Sequence, residues 1–228
     1  MVHNYHEILR LVPIFSELDD EIIEKLVSLG RIKEYDKDAI IFLENETGNA
    51  MFIIIEGKVK VSRVSDDGRE VILSILDEAD FFGEMALLDG QARSANIIAI
   101  EKSKLFIIQR KDFIDLLAQH PNVSVSLLQE LTKRIRIADM KIKSLSLKDA
   151  EGKVASVILQ LADDMGKIRH GAVEIERLPM QQDLANMAGT SRETISRVMN
   201  TFKKKGFIEL DGNKLKIIDY TKFKELFE

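Results

Sequence analysis

No cysteine and no tryptophan occur among the 228 residues. The missing cysteine excludes disulfides, zinc–thiolate sites, iron–sulfur clusters and thiol catalysis. Long apolar runs are missing as well. No stretch approaches the roughly 20 apolar residues that span a bilayer, and the N-terminal MVHNYHEILR has no apolar signal core. A cytoplasmic location without membrane contact is expected. Residues 31–109 contain no His, and no H-x-H pair occurs anywhere. No metal is expected, because clustered metal ligands are what such a site needs.

What is present suits a folded chain. Hydrophobic residues make up 45%, and the length allows one large domain or two modest ones with a real core. The formal net charge of −5, taken alone, argues against a nucleic-acid binder. Its distribution is uneven. Residues 150–228 carry 13 of the 33 basic and 12 of the 38 acidic residues, a net of +1, which leaves 20 against 26, a net of −6, before them. Within the later part, Thr190–Lys205 holds Arg192, Arg197, Lys203, Lys204 and Lys205 against Glu193 alone.

Along the chain, Ser16-Glu17-Leu18-Asp19 has the spacing of a capping box before an amphipathic run that Gly30 stops at Leu29. Short β-rich runs follow: Ala39–Leu43, Met51–Glu56, Lys58–Val64, Val71–Leu76, Asn96–Ile100 and Lys104–Ile108. Glu56-Gly57 and Asp67-Gly68 punctuate them as hairpin turns. Strands at this spacing predict an antiparallel sandwich or roll. An enzyme on such a scaffold, of cupin type, lacks the clustered metal ligands it requires, and no Ser/His/Asp or Cys/His set replaces them. Pro121 opens a helix to about Leu147. On it Leu128, Leu131, Ile135, Ala138, Ile142 and Leu145 recur at spacings of 3 and 4, a coiled-coil seam that predicts a homodimer. A helix packed on its own domain would show the same pattern.

Gln181 to Val198 fits a helix-turn-helix. Ala185 is small where two helices would cross, Gly189 supplies the turn, and Ile195 and Val198 face inward. The strand–turn–strand Phe207–Leu210, Asp211-Gly212-Asn213, Lys214–Ile218 adds a wing. Arg192, Glu193 and Ser196 or Arg197 then project outward, where a recognition helix reaches base edges. Arg presents a fork to guanine O6 and N7, and Glu accepts from cytosine N4. An intrahelical Glu193–Arg197 pair is the structural alternative.

The stretch Ser191–Arg197 closely resembles the recognition helix of the Crp/Fnr family of bacterial transcription regulators, in particular its catabolite-activator branch. The order of β-roll, long helix and winged helix matches along essentially the whole chain. The resemblance implies that Arg192, Glu193 and Arg197 read a TGTGA-type half-site and that Gln182, Ser191 and Thr194 hold DNA backbone. Lys214 and Gln181 complete the implied DNA-binding set, although position 181 is Gln where the branch's type member has Arg.

A second constellation runs from Phe82-Gly83-Glu84-Met85-Ala86 to Ala92-Arg93-Ser94-Ala95. A turn preceded by Gly offers backbone N–H groups, and a guanidinium follows, which together suit a phosphate. A buried Glu–Arg pair is the alternative. The spacing resembles the phosphate-binding cassette of cyclic-nucleotide domains. It implies Glu84 on the ribose 2′-OH, Arg93 and Ser94 on the cyclic phosphate, and the Gly83–Ala86 backbone, Met85 included, around both. In the cAMP-responsive branch adjacent Thr and Ser on the long helix hold the adenine, whereas this chain has Ala138 and Asp139. Asp139 would suit adenine N6 or the guanine N1–H/N2–H₂ edge, or else stand exposed beside the seam; the departure leaves a cyclic-nucleotide pocket better supported than cAMP itself, and the resemblance implies cAMP first and cGMP second. A haem sensor would need His3 or His6 to reach the roll, and a constitutive, ligand-free regulator is a further alternative.

The expected chain is therefore α+β. Residues 1–120 form an antiparallel jelly-roll cyclic-nucleotide domain with flanking helices, 121–148 a dimerisation helix, and 149–228 a winged helix-turn-helix. Two-fold symmetric DNA, a second copy of the chain and RNA polymerase are the expected partners.

Overall fold

A computed structural model describes residues 2–169 and 171–227, without the side chains of residues 2–4. Two helices lead, α1 (Val2–Leu11) and α2 (Asp20–Leu29). Strands β1 (Arg31–Tyr35), β2 (Ile40–Phe42), β3 (Ala50–Glu56), β4 (Val59–Val64), β5 (Glu70–Leu76) and β6 (Phe81–Phe82) follow. A short helix α3 (Glu84–Asp89) precedes β7 (Asn96–Ala99), β8 (Ser103–Gln109), α4 (Arg110–Gln119) and the long α5 (Pro121–Leu147). Then come α6 (Ala150–Met165), β9 (Lys167–Arg169), β10 (Ala172–Ile175), α7 (Gln181–Ala188), α8 (Arg192–Lys204), β11 (Ile208–Asp211), β12 (Lys214–Ile217) and α9 (Tyr220–Phe227). The chain divides into two compact units, 1–136 and 137–228, so the division falls within α5. No described helix is long and apolar enough to cross a membrane.

In the first unit two antiparallel four-stranded sheets, ordered β1-β8-β3-β6 and β2-β7-β4-β5, make the roll. Its core gathers Phe42, Phe52, Ile54, Val59, Phe82, Ile97 and Leu105 from both sheets. β3 is buried from Met51 to Ile55, because its alternate residues serve two cores. Phe52 and Ile54 face the roll interior, while Met51, Ile53 and Ile55 pack with Leu9, Phe15, Ile23, Phe113, Val123 and Leu127 of the helices. A strand covered on both faces reads as a continuous apolar run.

Several local expectations change. Glu56-Gly57 is not a hairpin turn: β3 pairs with β8 and β6, whereas β4 pairs with β5 and β7, so the chain crosses between sheets there. Asp67-Gly68 does turn the β4–β5 hairpin, with the Ser65 N–H on the Arg69 carbonyl at 3.0 Å. The Ser16 capping box does not form. Ser16 Oγ donates to the Pro13 carbonyl at 3.0 Å, and Asp19 is the N-cap of α2. Gly30 ends α2 with an ordinary φ of −82°. Its requirement is space, since a Cβ there would lie 1.9 Å from the Phe106 ring. On α5, Leu128, Ile135 and Ile142 are 64, 62 and 63% exposed, joined by Val125. Leu131 leaves the expected seam and packs on the helical core of the first unit.

In the second unit α6 buries Val154, Ala155, Ile158 and Leu161. A sheet ordered β11-β12-β10-β9 accompanies α6, α7 and α8. Asp149 caps α6, its carboxylate accepting the Gly152 N–H at 2.8 Å. Phe202, Phe207 and Phe223 meet edge to face, which fixes α8 against the wing and α9.

Candidate functional site

Two groups of side chains stand out, one in each unit. In the first, Phe82 ends β6 and Gly83 takes φ 83°, a left-handed conformation that suits glycine, to start α3 at Glu84. Glu84 is 3% exposed and Arg93 is 6% exposed. Arg93 Nη1 donates to the Gly83 carbonyl at 2.8 Å and Nη2 to the Ala50 carbonyl at 2.7 Å. Its guanidinium lies 4.1 Å over the Phe42 ring and 5.7 Å from Phe52. Gly48 leaves room for it, because a Cβ there would stand 2.4 Å from the guanidinium carbon. Burial lowers the Arg93 pKa, and the charges of Glu84 and Glu46 oppose that shift.

Glu84 and Arg93 are not directly paired. The partner of Glu84 is Arg134 on α5, whose Nη1 donates to Oε1 at 3.1 Å while Nη2 donates to the Phe81 carbonyl at 2.8 Å. Arg134 also stands 4.4 Å over the Phe81 ring and 3.5 Å from Glu130. Burial pushes the Glu84 carboxyl above the usual carboxylate range against the pull of Arg134 and Arg93, and it raises the half-buried Asp80 similarly. Ala86 is buried. Met85 and Ser94 are exposed and touch each other, with Ser94 Oγ donating to Sδ at 3.6 Å. Ala138 and Asp139 are exposed on the part of α5 that belongs to the second unit. The fold therefore collects Gly83, Glu84, Ala86 and Arg93 at one place. Arg134, Phe42 and Gly48 join them unannounced, since nothing in the local sequence separates Arg134 from the other basic residues of α5. The side chain of His3 lies outside the described residues, and His6 Nε2 sits 3.3 Å from Asp20. No metal-holding group of His, Cys, Asp and Glu exists among the described residues.

In the second unit Gly189 at φ 58° turns α7 into α8. Ser191 caps α8, its hydroxyl accepting the Thr194 N–H at 3.2 Å and lying 3.2 Å from the Thr194 hydroxyl. Ile195, Val198, Met199 and Phe202 are buried on one face. The other face presents Arg192, Glu193, Ser196, Arg197 and Asn200, which with Gln181 line a concavity of about 440 Å³. Both Ser196 and Arg197 face it, not one of the two. The Glu193–Arg197 pair does not form. Instead the backbone at Glu193, then the Ser191 hydroxyl and Arg192, hold the Glu193 carboxyl below its usual range. An ionised, exposed Glu193 remains an acceptor. Gln182 turns aside, its Nε2 donating to Asn186 at 3.0 Å. Lys214 is exposed at the start of β12, across the hairpin from Asp211 and outside the concavity.

Comparison with known proteins agrees with both halves. Residues 32–120 match the cyclic nucleotide-binding domain family and residues 152–226 the Crp-like helix-turn-helix domain family. The chain is 32% identical, over 93% of its length and 95% of the relative's, to a CRP-like cAMP-activated global transcriptional regulator of Mycobacterium tuberculosis. It is 31% identical, over 94% and 96%, to the cyclic AMP receptor protein of Thermus thermophilus. Among solved structures, a CooA variant from Carboxydothermus hydrogenoformans superposes with a TM-score of 0.78 at 25% identity, covering 96% of this chain and 95% of that one.

Proposed function

Because the chain belongs to the Crp/Fnr family of cyclic nucleotide-binding, DNA-binding transcription regulators, a family of regulators and not enzymes, we propose that it acts as a cytoplasmic homodimer gated by a cyclic nucleotide, cAMP before cGMP. The observation that carries this is the exposed face of α8. Arg192 and Arg197 make no side-chain hydrogen bond to any described residue, and Glu193, its carboxyl held below the usual range, stands beside them in one concavity. Two guanidinium forks and a carboxylate match guanine and cytosine edges, those of the two G·C pairs in a TGTGA-like half-site. Ser191, Thr194 and Lys214 are assigned to the DNA backbone in this proposal.

The roll supports the effector. Glu84 and Arg93 are buried at a glycine turn, and the N–H groups at the start of α3 add donors beside them. In this reading Glu84 takes the ribose hydroxyl, Arg93 and Ser94 the cyclic phosphate, and Asp139 the base. The cAMP-activated relatives favour cAMP. The exposed α5 residues Leu128, Ile135, Ala138 and Ile142 supply the two-fold contact within 121–148, and RNA polymerase is the downstream partner. The nucleotide acts only through its differential affinity for two states. Titrating a two-fold symmetric TGTGA-type fragment without nucleotide, with cAMP and with cGMP tests this. Tighter binding with a nucleotide is expected. Equal affinity in all three removes the gating, and equal affinity for scrambled DNA removes the sequence reading.

A further inference from the structure

We propose that Asn200 reads a base, and that the base is adenine. This deepens the assignment of α8 as the DNA-reading helix and rests on it. Asn200 lies eight residues after Arg192, so Arg192/Glu193, Ser196/Arg197 and Asn200 occupy successive turns of one face. All five line the same concavity, together with Gln181 of α7. The buried positions Ile195, Val198, Met199 and Phe202 take the opposite face, which leaves Asn200 exposed. Its amide makes no hydrogen bond to any described residue, while its neighbour Thr201 spends its hydroxyl on the Arg197 carbonyl at 3.1 Å.

The chemistry of the concavity is otherwise one-sided. Arginine forks select guanine and a carboxylate selects cytosine. A primary amide is the group that matches adenine, its oxygen accepting from N6–H₂ and its nitrogen donating to N7. Of the two amides present, Asn200 is on the reading helix itself. At a rise of 1.5 Å per residue it stands about 12 Å along α8 from Arg192, roughly three to four base steps of 3.4 Å. The expected target is an A·T pair that far from the pair read by Arg192.

The test is selection of bound duplexes from a randomised library by the full chain in the presence of cAMP, comparing wild type, Asn200→Ala, Asn200→Arg and Gln181→Ala. Wild type should enrich adenine at one position in each half-site. Asn200→Ala should lose roughly 5- to 150-fold of that preference, the range of one bidentate base contact, with the other positions unchanged. Asn200→Arg should move the preference there to guanine. An Asn200→Ala profile identical to wild type overturns the proposal, as does adenine retained by Asn200→Arg or lost only in Gln181→Ala. Failure of the underlying assignment looks different, because wild type would then enrich no symmetric site at all.

Discussion

Arg93 has a structural part to play in the roll. Its two bonds to the Gly83 and Ala50 carbonyls tie the turn to β3. Arg93→Ala should abolish the thermal shift expected from the proposed cAMP binding and also lower unfolding stability by about 1–3 kcal/mol, the cost of orphaned buried acceptors. Urea denaturation with and without nucleotide separates the two effects. Glu84 carries a pH signature. Its carboxyl pKa is raised by burial, so the folded state keeps that proton longer than the unfolded chain does. The resulting stability is complete below the ordinary carboxylate range and is lost as pH rises through the folded value. Glu84→Gln cannot lose it, so its stability advantage over wild type should grow from acid to neutral pH in parallel urea titrations. The spacing of Gly83, Glu84 and Arg93 was legible because the motif is contiguous. Arg134 was not, because it lies 50 residues from Glu84 and looks like any charged residue flanking a helix seam.

Elements with a strong period were legible and those set by long-range packing were not. The helix from Pro121 to Leu147 matches its expected bounds, since Pro121 marks its start and the spacing of 3 and 4 fills it. β6 and α3 span two and six residues, too short to show any period. Glu56-Gly57 looks the same locally whether the flanking strands pair or part, and only the partners of β3 and β4 decide. The same limit applies to Leu131, whose spacing suits a seam but whose neighbours are core residues. At the end of α2, Gly30 serves the Phe106 ring more than the turn. Gly30→Ala should cost about 1–3 kcal/mol through overpacking. A lower denaturant midpoint at unchanged slope is the expected result.

For the molecule as a whole, the net of −5 hides its division. Acidity belongs to the residues before 150, and Thr190–Lys205 is basic. Such a body should keep non-specific DNA binding weak and leave more of the affinity to base contacts. Heptad spacing marked the α5 residues suited to meet a second copy, and the fold adds that Leu128, Ile135 and Ile142 among them are exposed. For the proposed homodimer, Ile135→Asp with Ile142→Asp should give a monomer in sedimentation and remove the concentration dependence of Tm. The exposed α5 stripe also has a practical consequence in covalent chemistry. A chain without cysteine has no background thiol, and residues on a two-fold axis face their own copies. Ile142→Cys would introduce the single thiol of the chain, so mild oxidation of the proposed dimer should yield one crosslinked species, a covalently joined pair whose two winged helices stay together at any dilution.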